Sequence, residues 1–255
     1  MSTDDRPTEK PKKNATDKSV VDLFYNVLPY ITICQALYTV LETVNPYLFE
    51  TFNTLDAAKK CYWTQNMVTA AVSVVLSCMA GTTVAQLGLK DFWATSPLST
   101  ATFRLMMGYL LADSLVILKN WNAWPTPSVT FFHHMVALLG IYILDAHSGC
   151  HGLSAVVVMA EITTPFITQM YFFTEAGMKA TALYAVNGAF IVVFWFLFRI
   201  CSLGWVLWRL FALRLEVAPF PIYGAIALLS ATYALQWVWF YKIALGALKL
   251  FQKAV

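Results

Sequence analysis

Seven apolar stretches, each near the length of a membrane span, occupy most of this chain of 255 residues. The hydrocarbon core of a bilayer is about 30 Å thick, so a crossing helix needs about 20 mainly apolar residues. The stretches lie near residues 23–44, 62–86, 102–119, 128–146, 151–173, 179–208 and 218–250. Turn-forming pairs such as Asn45-Pro46 and Ser96-Pro97 separate them. The sequence therefore predicts an all-α polytopic membrane protein with about seven transmembrane helices.

The composition agrees with this class and excludes others. Hydrophobic residues make up 59% of the chain and charged residues 12%, whereas a soluble domain needs a more polar surface. The net charge of +3 is spread over connections and tails without a basic stripe, so nucleic acid is not expected as a partner. Four histidines are too few for the repeated histidine clusters of membrane desaturases. No bound cofactor and no metal site are expected, because the zinc-like spacing of His147, Cys150 and His151 lacks a fourth ligand.

The chain is predicted to consist of four segments. Residues 1–22 mix Lys and Arg with Asp and Glu and contain two prolines, which is typical of a disordered hydrophilic tail. Residues 23–60 are predicted to form a first membrane helix and its connection. Residues 61–250 are predicted to form the main membrane domain, and residues 251–255 a short C-terminal tail.

Four ionisable side chains are predicted to share one depth in the membrane. His133 and His134 lie inside an apolar stretch, and ionisable groups at membrane depth are usually functional because they are costly to bury. Antiparallel helices joined by a short turn are mirrored about that turn. Mirroring about residue 123 brings Asp113 level with His133, and mirroring about residue 148 brings Glu161 level with Met135. Asp113, the two histidines and Glu161 are therefore predicted to lie in one polar layer.

The same argument places further polar residues. Mirroring about residue 176 brings Asn187 level with Pro165, and Arg199 about level with Ser154. Glu161 and Arg199 then lie in the same half of the bundle, which predicts an ion pair between them. Pro165 is also expected to interrupt its helix and to free a carbonyl near residue 161. That interruption is either an ordinary packing kink or the opening of a cavity.

Two interpretations of the polar layer remain open. A neutral imidazole can accept a proton or attack a carbonyl, and a neighbouring carboxylate fixes its tautomer and raises its basicity. Alternatively, Asp113, the two histidines and Glu161 form a hydrogen-bonded core that holds the helices together.

Five pieces of sequence occur in the order seen in one membrane-protein family. They are Gly-Tyr-Leu-Leu-Ala-Asp at 108–113, Phe-Phe-His-His at 131–134, Glu-Ile-Thr-Thr-Pro-Phe at 161–166, Asn-Gly at 187–188 and Phe-Arg-Ile at 198–200. With them, the chain from about residue 108 to residue 199 resembles the TLC domain family, the lipid-handling membrane proteins that include ceramide synthases. Within that family it is similar to TLC domain-containing proteins of type 4.

The resemblance implies a fold and a site. The fold is a six-helix TLC bundle around a lipid-sized cavity, usually in the endoplasmic reticulum, here with one further helix. By position, His133 and His134 correspond to the reactive pair of acyl transfer, with Asp113 and Glu161 as the accompanying carboxylates. The lipid-binding residues expected on the same basis are Thr164, Pro165, Asn187 and Arg199. Ceramide synthases carry two aspartates where this chain has Glu161 and Thr164, so one carboxylate is absent here.

The function expected from the sequence is lipid homeostasis, with an acyl lipid bound in an intramembrane cavity. If the protein is an enzyme, the reaction is acyl transfer from the substrate acyl-CoA to an amine or a hydroxyl. The alternative is a non-catalytic lipid sensor, carrier or cargo adaptor, and an ion or proton translocator is a third class. The expected partner is a membrane lipid, whether a sphingolipid, a phospholipid or another acyl lipid, and a homodimer is the other assembly considered.

Overall fold

The computed structural model describes residues 20–146, 149–214 and 219–254, so the tail predicted at 1–22 lies outside the described residues apart from its last three. The helices within these residues are α1 (Val20–Leu48), α2 (Glu50–Thr54), α3 (Ala57–Leu87), α4 (Pro97–Lys119), α5 (Pro127–Ala146), α6 (His151–Val158), α7 (Thr164–Glu175), α8 (Ala182–Phe194), α9 (Ser202–Leu213) and α10 (Pro219–Ala254). The described chain contains no strand. The predicted all-α fold is confirmed.

Most of these helices are long and apolar enough to cross a membrane. Six spans meet that description, of which two are continuous rods made of two helices each, at His151–Glu175 and Ala182–Leu213. The apolar part of α5, Pro127–Ile143, is shorter than a usual crossing. The prediction of about seven apolar spans therefore corresponds to six long helices and this shorter one.

Six rods form a closed ring: the shorter helix α5 and five of the six long spans. Following the contacts around it, α3 packs against α4, α4 against α5, and α5 against α10. Helix α10 packs against α8 and α9. Helix α8 then contacts α7, and α9 contacts α6. Helices α6 and α7 both pack against α3, which closes the ring. Helix α1 lies outside the ring, against α3 and α4. This arrangement leaves an interior space, and each of the six rods forms part of its wall.

Helix α1 docks on α4 through a close backbone approach at Gly108. A Cβ atom built on Gly108 would lie 2.5 Å from the Cβ atom of Tyr30 and 3.1 Å from the backbone nitrogen of Ile31. The side-chain amide of Gln35 donates a hydrogen bond to the carbonyl of Ala112, at 3.1 Å. Close approach of small residues is the usual basis of helix packing in membranes.

Two rods of the ring are interrupted, and each interruption carries a charged residue. Between α6 and α7 the chain forms a 3₁₀ turn, Met159–Thr163, as expected where Pro165 cannot donate to the carbonyl of Glu161. Between α8 and α9 it forms a π-helix, Trp195–Cys201, which contains Arg199. The interruption predicted near Pro165 is confirmed. π-Helices are rare and are frequent at functional sites.

Candidate functional site

A cavity of about 900 Å³ lies inside the ring. Its volume lies within the range of small-molecule binding sites. Residues from all six rods line it, including Gln65, Asn66 and Thr69 of α3, Tyr109 and Asp113 of α4, His133 and His134 of α5, Thr164 and Met170 of α7, Tyr184 and Ile191 of α8, and Trp239 and Ile243 of α10. The wall is mainly apolar and aromatic, with its charged groups at two separate places.

The first of these places is a polar end where α4 and α5 face each other. His134 Nδ1 lies 3.3 Å from Asp113 Oδ2, and both side chains are buried. The Ser114 hydroxyl lies 3.4 Å from the same nitrogen. A carboxylate on one ring nitrogen of a histidine holds the imidazole in one tautomer and orientation. The predicted pairing in depth of Asp113 with the histidines is confirmed, with His134 as the direct partner.

His133 differs from its neighbour because its Nδ1 atom is buried without a hydrogen-bond partner among the described residues. Its ring packs edge-on against the Trp239 ring, with centroids 5.3 Å apart. The rings of His133 and His134 are 6.0 Å apart. Nδ1 of His133 is therefore engaged by no described side chain, whereas Nδ1 of His134 contacts Asp113 and Ser114.

Arg199 forms the second part of the polar end. Its Nη2 atom lies 3.7 Å from Glu161 Oε1, so the predicted ion pair is confirmed. The guanidinium donates to the hydroxyls of Thr163, at 2.6 Å, and Thr164, at 3.1 Å, and to Gln236 Oε1, at 3.4 Å. The Thr164 hydroxyl in turn donates to Glu161 Oε2, at 2.7 Å. The buried charges are thus paired and hydrogen-bonded, as buried charges must be.

A second, smaller cavity of about 100 Å³ lies beyond the polar end. His133, Glu161 and Arg199 line both cavities and so form a wall between them. The rest of the small cavity is almost entirely apolar, with Met106, Gly140, Ile141, Leu153, Val157, Leu203, Val206 and Leu229 among its lining residues. The polar wall therefore separates a large cavity of mixed polarity from a small hydrocarbon-like one.

The opposite end of the large cavity, here called the outer end, is formed by residues near helix termini. Tyr62 packs edge-on against Trp124, with centroids 4.9 Å apart, and against Tyr171, at 4.7 Å. Lys242 and Lys249 of α10 line the cavity at this end. Aromatic and basic side chains are typical of the membrane interface.

The structure brings most of the predicted site residues together. Asp113, His133, His134 and Glu161 line the large cavity, as do Thr164 and Arg199. Pro165 and Asn187 are not among the residues that line either cavity. The Asn187 amide instead donates to the carbonyl of Phe166, at 2.8 Å, which agrees with its predicted depth. A lipid-binding role for these two residues stays a prediction.

Several residues of the site were not identified from the sequence. Thr163 and Gln236 complete the hydrogen bonds of Arg199, and Lys242 and Lys249 supply the charge at the outer end. An amide within an apolar span, as at Gln236, was the available signal. His147, part of the zinc-like spacing, lies outside the described residues. Among the described residues there is no group of three or more potential metal ligands.

The ring, the internal cavity and its polar end define a multi-pass membrane protein with an amphipathic space between its helices. Residues 59–245 match the family model of the TLC domain, so the chain belongs to the TLC domain family.

The chain is also similar to curated proteins that are all named as type 4 TLC domain-containing proteins. It is 24% identical over 164 residues to TLC domain-containing protein 4 of Homo sapiens, covering 60% of this chain and 59% of that protein. It is 29% identical over 174 residues to TLC domain-containing protein 4 A of Dictyostelium discoideum, covering 63% and 66%. For TLC domain-containing protein 4-A of Xenopus laevis the identity is 22% over 224 residues, covering 82% and 86%. The chain thus spans less than two thirds of the human and Dictyostelium relatives.

Proposed function

We propose that this protein binds an acyl lipid in its intramembrane cavity and acts in lipid homeostasis, in the endoplasmic reticulum membrane. The observation that carries the proposal is the cavity of about 900 Å³ whose buried end holds His133, His134, Asp113 and Glu161. A lipid is amphipathic, and this space offers both a long apolar wall and a compact polar end. Membership of the TLC domain family is consistent with a lipid as the general kind of partner.

The polar end has the groups that acyl transfer from a thioester such as acyl-CoA requires. His133 has a ring nitrogen without a described partner, so it is the proposed nucleophile or general base. As a nucleophile, its nitrogen would form a bond to the thioester carbon while the carbon–sulfur bond breaks and the thiolate leaves. An amine or hydroxyl acceptor would then take the acyl group, and its proton would pass to a nearby base. His134, oriented by Asp113, is the proposed base.

A non-catalytic lipid sensor, carrier or cargo adaptor is the second candidate. One observation favours it: the Thr164 hydroxyl bonds to both Glu161 and Arg199, and so belongs to the network that joins the helices. In ceramide synthases an aspartate stands at the position of Thr164. In a carrier, the polar residues of the cavity wall need only hold the helices together, as this hydrogen-bonded network does.

Mass spectrometry of lipids that co-purify with the full chain tests the binding proposal. We expect an acyl lipid to remain bound after purification in a mild detergent, because the cavity is large and its wall is mainly apolar. Incubation with acyl-CoA and candidate acceptors separates the two candidates. An enzyme consumes acyl-CoA, whereas a carrier retains lipid without consuming it. Protein that purifies without lipid would contradict both.

The histidines give the sharper test of catalysis. If acyl transfer is detected, we expect His133→Ala and His134→Ala each to lower turnover by at least about a hundredfold, because a nucleophile or general base is lost. Phe132→Ala is the matched control, since Phe132 is the preceding residue on α5 and its side chain is exposed. Turnover at the wild-type rate in both histidine variants would rule out the catalytic role.

A further inference from the structure

The outer end of the large cavity carries two lysines that have no ion-pair partner among the described residues. The charged residues lining the cavity are Asp113, Glu161, Arg199, Lys242 and Lys249. Arg199 is paired with Glu161, and Asp113 contacts His134. Neither lysine has an ion pair with any residue that the structure describes.

The two lysines lie on one face of α10. Residues seven apart in an α-helix are almost two turns apart and point in nearly the same direction. Gly246 lies on the same face between them and also lines the cavity, with no heavy atom within 4 Å of the place a Cβ would take. Room for a ligand group therefore exists between the two ammonium groups. Long lysine stems allow both groups to approach one anion.

The position of the lysines relative to the polar end is fixed by the helix. Trp239 of α10 packs on His133. At 1.5 Å per residue, Lys242 lies about 5 Å and Lys249 about 15 Å further along the axis. An anion held by these lysines would leave the attached chain directed towards His133.

We propose that Lys242 and Lys249 form a binding site for the phosphate group of the acyl lipid that occupies the cavity. The proposal rests on the proposed function, because it assigns the head-group chemistry of the same ligand. Lysines near helix ends also extend to the membrane surface without a ligand. The cavity-lining position, the intervening glycine and the lack of an ion-pair partner among the described residues distinguish these two from such lysines. The phosphate can belong to a phospholipid head group or to the carrier part of an acyl thioester such as acyl-CoA.

The test compares ligands that differ only in the phosphate. Purified full-length protein in an uncharged detergent is titrated with dioleoyl phosphatidic acid and, separately, with dioleoylglycerol, which has the same chains and no phosphate. We expect the phosphatidic acid to bind more tightly. In the variant with both Lys242→Gln and Lys249→Gln, its affinity should fall at least about tenfold, while binding of dioleoylglycerol is unchanged. The double Arg variant should keep the affinity, since the charges remain.

Lys179→Gln is the matched control, because Lys179 lies in the turn between α7 and α8 and does not line the cavity. Coenzyme A is the second probe. Loss of coenzyme A binding in the double Gln variant identifies the thioester carrier as the source of the phosphate, and loss of phosphatidic acid binding alone identifies the phospholipid. Unchanged affinities for both probes would overturn the phosphate site. Failure of the wild type to bind either dioleoyl lipid would instead contradict the proposed function.

Discussion

Arg199 joins three rods of the ring through one side chain. It extends from the π-helix between α8 and α9 to Thr163 and Thr164 at the start of α7, and to Gln236 of α10. Its guanidinium also stacks on the Trp195 ring, 4.7 Å from the centroid. A buried charge without partners costs several kcal/mol, so this position is tolerated only because the partners are supplied by neighbouring helices.

Replacing Arg199 with methionine is expected to destabilise the bundle. Arg199→Met would leave the Glu161 carboxylate, whose side chain is only 12% exposed, without its counter-charge, which costs up to about 3 kcal/mol. The measurement is thermal unfolding of the purified protein in detergent, where a lower midpoint is expected. Adding Glu161→Gln should recover part of the loss, because the unpaired charge is removed.

The control for this pair is Arg209→Met on the neighbouring helix α9. Arg209 is partly exposed and forms no ion pair with the residues described in the structure, so a change within about 0.5 kcal/mol is expected. If Arg199→Met unfolds at the wild-type temperature, the ion pair does not stabilise the bundle. Equal losses in the single and double variants would assign the effect to the other hydrogen bonds of the guanidinium.

At the scale of elements, the length and depth of the helices are predictable from the sequence. Bilayer thickness sets the length of each span, and short antiparallel connections set which residues share a depth. The contact of Asp113 with a histidine, the pair of Glu161 with Arg199, and the level of Asn187 all follow from this.

The order of helices around the ring and the rotation of each helix are not predictable in the same way. Helix α5 makes its main contacts with α4 and α10, and few with α6, its neighbour in sequence. Whether Gln236 contacts Arg199 and whether Lys242 lines the cavity depends on which face of α10 points into the ring. Hydropathy does not determine that face when a helix is apolar nearly all round. The π-helix likewise depends on packing rather than on local sequence.

The docking of α1 gives a prediction for a single element. Gly108→Ala should loosen α1, because the new methyl group would meet the Tyr30 Cβ atom at 2.5 Å, where no real contact occurs. We expect a loss of about 1–3 kcal/mol in thermal unfolding, and faster limited proteolysis of the α1–α3 connection. Gly81→Ala in α3 is the control, since no heavy atom lies within 4 Å of its Cβ position. Equal stability of the two variants would show that α1 does not need this contact.

At the scale of the whole molecule, the two cavities lie on either side of the polar wall. The small cavity has room for about three groups of the volume of a water molecule, ~30 Å³ each. If an acyl chain extends past the wall, its terminal methylenes are the natural occupants of that space. Chain length would then be limited by the residues at its far side.

Gly140→Leu tests this limit. Gly140 lines the small cavity, and a Cβ there would meet Leu228 atoms only at 4.0 Å, so the substitution fills space without a backbone clash. We expect the lipids that co-purify with the variant to have chains shorter by about three carbons, measured by mass spectrometry. Gly81→Leu serves as the control, because Gly81 lines neither cavity. An unchanged chain-length distribution would show that the small cavity holds no part of the lipid.

The shared wall has a consequence for genetics. His133, Glu161 and Arg199 each border both cavities, so any allele at these positions changes the surroundings of both cavities together. A screen based on such alleles would report a mixed phenotype. Variants that affect one cavity alone require residues that line only that cavity. Gly140 lines only the small cavity, and Lys249 lines only the large one.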